Sequence, residues 1–277
     1  MTSLSQENLI KLAQEDEAKG NLAGAIDNLR EALNMGHSVK IVVLLSQLYR
    51  KNKQEDQAYT LLKEEPDLFS EQALFDEYIN TLVANHYYIE GMQLEKLLNK
   101  KLPLIISPVS DDEQKEIMKG FRQKKSITLS DYQDLFKLNL INFEMFTQSL
   151  LIDPTQGFAI RLALCEDLVK LQINKSFKIL VLGELEDFIP SKTQLMEKTT
   201  IYREVISSVG DRFRNSPTQL PLMLGEANLV LGSLYPKLSQ YIKNTDGFTH
   251  DLVNYLETKN GGVNQKLLEK IYASLPK

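Results

Sequence analysis

Small and apolar positions recur at a spacing of 33 in the first third of the chain. Ala25, Ala58 and Gly91 form one series, and Leu9, Val42 and Phe75 form a second. Leu12, Leu45 and Tyr78 keep the same register, as do Ala13, Ser46 and Ile79. Small residues where two helices must approach, ringed by large apolar ones, describe a helix–turn–helix unit stacked on its neighbours. The copies run from about 6–38, 39–71 and 72–100.

After this region the pattern changes. Residues 101–110 contain Pro103 and Pro108 and read as a linker between two parts of the chain. Ser110 with Glu113 predicts a capping box at a helix start, and Ser130 with Gln133 repeats that signal. Asp153-Pro154 predicts a further start, followed by a helical stripe through Phe158, Leu162, Cys165 and Val169. Phe177, Ile179 and Val181 then alternate with Lys178, Leu180 and Leu182, and Gly183 precedes a second short run ending at Pro190. That predicts a β-hairpin near 177–189. Helical patterns return over 197–213 and 217–235, and twice more before residue 277. The expected fold is mainly α: helical hairpins over 1–100, the linker at 101–110, and a helical region over 111–277 holding the one hairpin.

The repeats resemble the tetratricopeptide repeat (TPR). The first copy carries small residues at Ala13, Ala25 and Ala32, Gly20 at the turn, and Leu29. It departs from that family at Asp16, where an aromatic is usual, and His37 stands where proline is common. The second copy keeps Leu45, Ser46, Tyr49, Ala58 and Leu62 but has Glu65 at a small position. The third departs further, at Ile79 and Glu95. With Asn215-Ser216-Pro217, Glu226-Ala227 and Leu234-Tyr235-Pro236, the whole chain is similar to an uncharacterised TPR-containing family of Gram-positive bacteria. The resemblance implies stacked hairpins, a bacterial cytoplasmic setting and a groove lined by the first helix of each unit. It supplies no catalytic residue.

Composition fits that picture. The 277 residues are 43% hydrophobic and 25% charged, enough for a sizeable core, and 13 Gly with 9 Pro are too few for a loop-rich β protein. One cysteine excludes an intramolecular disulfide, and three separated histidines argue against a local metal centre. The net charge of -5 is concentrated in residues 1–100, where 16 acids face 10 bases. No basic stripe of the kind that displaces counterions from a nucleic-acid backbone stands out. The first residues lack the basic head and apolar stretch of a signal peptide, and no apolar run would span a bilayer.

Candidate chemistry is sparse. No P-loop and no Gly-x-Gly-x-x-Gly occurs. Cys165 sits on an apolar helical face and reads as a core residue. Asp111, Asp112 and Glu113 complement a helix macrodipole and need no metal. Two surfaces remain. Gln14, Gln47 and Asn80 form one column of amides on the first helices, able to donate to and accept from a peptide backbone, with Lys40 and Arg50 in the flanking columns. The lysine–asparagine set that clamps a terminal carboxylate in some TPR domains is not reproduced at Ile10, Gln14, Leu44, Ala73 and Glu77. The second surface is basic: Lys115, Lys119, Arg122, Lys124 and Lys125. It suits RNA, a ribosome or an acidic protein, or is simply a solvated face. The expectation is a non-enzymatic, cytoplasmic scaffold without cofactor or metal, binding a protein or peptide in the repeat groove.

Overall fold

A computed structural model describes residues 3–275. They form fifteen α-helices and a single two-stranded antiparallel sheet, a mainly α fold with one β-hairpin. Two compact units divide between Phe143 and Glu144.

The first unit opens with three helical hairpins. They are α1 (Leu4–Ala18) with α2 (Leu22–Asn34), α3 (Val39–Lys51) with α4 (Glu55–Lys63), and α5 (Gln72–Asn85) with α6 (Tyr88–Leu98). Helix α1 starts at a capping box in which the Ser3 hydroxyl accepts from the Gln6 N–H and the Gln6 amide accepts from the Ser3 N–H. The 33-residue period returns in the backbone. Gly20, Lys53 and His86 occupy the three inter-helix turns with φ of 76°, 56° and 58°. Behind each, the next amide reaches back five residues: Asn21 N–H to Asp16 O, Gln54 N–H to Tyr49 O, Tyr87 N–H to Leu82 O, at 2.9, 2.8 and 3.0 Å. A left-handed residue followed by this closure ends a helix in one tight turn.

Close packing follows the small-residue series. Ala25 and Ala58 are fully buried, and a core of Ile10, Ala13, Ile26, Leu29, Ala32, Ile41, Leu45, Leu48 and Tyr49 joins the first two hairpins. Leu12 departs from its series: it turns away from the buried face of α1 and is exposed. Three departures from the repeat pattern find local partners. The Asp16 carboxylate accepts from Asn21 and Asn28 and ties α1 to α2. His37 pairs with Glu65 at 2.7 Å, so the two unusual positions of copies one and two meet.

The segment 101–110 is irregular, as its prolines predict, but it does not separate two bodies. Glu95 accepts from the Leu102 N–H and pairs with Lys101, turning the chain back along α6. Ile106 then packs on Gly91, where an added Cβ would stand 2.5 Å from the Ile106 Cδ1, and the Ser107 carbonyl faces His86 Nδ1 at 3.1 Å. Beyond it come α7 (Asp111–Gln123), α8 (Leu129–Gln133) and a 3₁₀ turn at Asp134–Lys137, whose Phe136 ring meets Tyr87 edge to face. The first unit therefore reaches Phe143 rather than residue 100. The predicted Ser110–Glu113 box caps α7. The next cap is Thr128 with Asp131, two residues before the predicted Ser130.

Helix α9 (Leu140–Leu151) carries the chain into the second unit. There Asp153 does not cap a helix. Its carboxylate accepts from the Thr155 N–H in a turn, and α10 (Phe158–Lys170) starts only after Gly157. Strands β1 (Phe177–Val181) and β2 (Glu184–Phe188) pair in the predicted hairpin through Leu182 and Gly183, both at positive φ, as a two-residue type I′ turn requires. Phe177, Ile179 and Val181 are buried, the inward face of an alternating strand. Helices α11 (Thr200–Phe213), α12 (Leu220–Leu234), α13 (Leu238–Tyr241), α14 (Thr245–Thr258) and α15 (Gln265–Ser274) complete this unit.

Candidate binding cleft

Helices α1 and α3 lie on the same side of the first two hairpins and leave a cleft between them. Ile10, Ala13, Leu29 and Leu48 form its apolar floor, and Gln14, Glu17, Leu44, Gln47 and Lys51 line its sides. The cavity volume is about 50 Å³, room for one or two water-sized groups rather than a drug-sized ligand. Two of the three predicted amides, Gln14 and Gln47, thus share one site. Asn80 occupies the equivalent place on α5, half-buried and outside the cleft lining. None of the three side chains makes a hydrogen bond among the described residues.

The flanking charges behave differently. Lys40 is exposed near the start of α3 and does not line the cleft. Arg50 does not face an open groove: its guanidinium donates to both carboxylate oxygens of Glu77 at 2.8 and 2.9 Å, and Ser46 donates to the same carboxylate at 2.9 Å. Glu77 is 2% exposed, so its charge is stabilised almost wholly by this fork, which joins α3 to α5. At the cleft itself Lys51 pairs with Glu17, bridging α1 and α3.

A second buried acid was not singled out by the sequence reading. Glu90 on α6 accepts from the hydroxyls of Tyr59 and Tyr78 at 2.7 and 2.5 Å and from Lys63 at 3.0 Å. Burial, with Glu90 beside it, pushes the Tyr78 phenol well above its ordinary range. The two networks share one spacing. Base to acid is 27 residues for Arg50–Glu77 and for Lys63–Glu90, and hydroxyl to acid is 31 for Ser46–Glu77 and for Tyr59–Glu90. One pattern joins the first helices of hairpins two and three, and its copy joins their second helices. A search for a base followed by an acid at that offset would have found both.

The alternative basic surface is interleaved with acids. Lys115 pairs with Asp112 at 2.8 Å, Lys119 with Glu116 at 3.5 Å, and Lys124 with Asp131. Arg122 and Lys125 are exposed beside them. Cys165 is fully buried, and burial, reinforced by the Glu166 carboxylate, pushes its thiol well above the ordinary range. Among the described residues no group of three or more His, Cys, Asp and Glu side chains is placed to hold a metal ion, and no helix is long and apolar enough to cross a membrane. No family model, curated protein or solved structure matches this chain.

Proposed function

We propose that the chain is a non-enzymatic interaction protein of tetratricopeptide type, working in the cytoplasm, whose first helices receive an extended peptide. The observation that carries this reading is the pair Gln14 and Gln47. They stand at equivalent positions, line one cleft, and keep amides that no neighbour satisfies. A side-chain amide offers a donor and an acceptor together, which is what an extended backbone presents. The recurring turns at Gly20, Lys53 and His86 support the repeat reading on which the groove depends. The basic helix is the weaker surface, because Lys115, Lys119 and Lys124 are already engaged by acids.

The test is isothermal titration with a partner isolated from the native cytosol. Gln47→Ala should weaken binding roughly five- to a hundredfold, since a backbone group loses its partner at a cost of about 1–3 kcal/mol. The melting temperature should stay within error of the parent. If reversal of Lys119 and Arg122 abolishes binding while Gln47→Ala keeps it, the basic helix is the binding surface.

A further inference from the structure

The two charged residues that line the cleft pair with each other. Lys51 and Glu17 bridge its two walls. On the next pair of first helices Arg50 and Glu77 close the equivalent gap with a forked ion pair. Lys11 and Lys40 are exposed and lie outside the lining. Inside stand two unpartnered amides above an aliphatic floor of Ile10, Leu29 and Leu48. A charged ligand group entering this cleft would find no unpaired counter-charge in its lining and would have to compete with an existing pair. A neutral backbone would meet the two amides at no such cost, and the small volume admits an aliphatic tip rather than a ring.

We propose that the cleft between α1 and α3 selects an internal, uncharged stretch of extended polypeptide with one aliphatic side chain seated beside Leu44 on the floor of Ile10, Leu29 and Leu48, and rejects charged chain termini. This deepens the groove reading above and rests on it. The ligand is held by backbone hydrogen bonds to Gln14 and Gln47 and by the apolar floor. Its affinity is therefore insensitive to salt, and a free terminal carboxylate adds nothing.

Selection from a displayed library of random short peptides on the full chain tests this, followed by synthesis of the winners with both ends blocked. The expected winners lack charge at their central residues and carry Leu, Ile, Val or Met there. Their affinity should change less than about twofold between roughly 50 and 500 mM salt, a range over which exposed charges become screened, and should fall with Gln47→Ala. Glu17→Gln, which releases Lys51, should raise affinity for an acidic version of the same peptide relative to the neutral one. Winners that are charged and lose affinity steeply with salt, yet still depend on Gln47, would overturn the neutral-ligand inference and leave the groove standing. Winners indifferent to Gln14→Ala and Gln47→Ala, or no winners at all, would overturn the groove itself.

Discussion

Lys53 shows how one residue can record the repeat. It occupies the left-handed turn that Gly20 fills in the first hairpin, although a Cβ makes that conformation costly. Its side chain has no hydrogen bond or ion pair among the described residues. Lys53→Gly should therefore stabilise the first unit by about 0.5–1 kcal/mol, read as a higher denaturation midpoint; an unchanged or lower midpoint contradicts the turn. His86→Gly should gain less, because it forfeits the contact with Ser107. Glu77 is the opposite case. Glu77→Ala removes the acid beneath Arg50 and should cost about 2–4 kcal/mol, since a partly buried guanidinium is left unpaired. A loss under about 0.5 kcal/mol, the scale of an exposed pair, would mean that the fork does not hold α3 to α5. The sequence showed Arg50 as a basic residue of the groove. It did not show that the carboxylate to engage it lies 27 residues later on another helix, because helical periodicity reports faces and not partners across a stack. Cys165 was legible, by contrast, because its place on an apolar stripe is itself the statement of burial. It should react with thiol reagents only on unfolding, and rapid labelling of the native protein would contradict that burial.

At the scale of elements, the chain read best where its period was long and its turn chemistry simple. The first hairpins follow from the 33-residue series, and the β-hairpin follows from alternation around Gly183. The segment 101–110 misled because prolines report the end of a helix, and say nothing about whether the next stretch packs. Here it packs: the chain folds back along α6 and sets Ile106 against Gly91, so the third small position of the series holds a loop side chain. Gly91→Ala should push the Ile106 Cδ1 aside and cost at most about 1 kcal/mol, because only the tip of a flexible side chain must give and alanine favours the helix. Combined with Ile106→Ala, the two losses should be clearly less than additive, because the clash disappears with the larger side chain. Additive losses in a denaturant cycle would mean that the two residues do not touch. Asp153 misled for a related reason. An aspartate before proline satisfies an Asx turn as readily as a helix cap, and local sequence does not choose between them.

At the scale of the molecule, a unit of three hairpins closed by residues 101–143 is followed by a second helical unit that carries the β-hairpin. The mainly α class was legible throughout. The candidate site was legible as a column of amides but not as a cleft, since depth arises only when α1 and α3 pack and Glu17 reaches Lys51. The account turns on whether the amides of Gln14 and Gln47 meet a peptide backbone. Side-chain NH₂ resonances of the full chain, followed by heteronuclear NMR as a selected blocked peptide is added, report this directly. The resonances of Gln14 and Gln47 should shift progressively and saturate together. That of Gln114, which is buried and already donates to the Val109 carbonyl, should stay in place. Stationary Gln14 and Gln47 signals, with the shifts falling instead on residues 115–125, would contradict it.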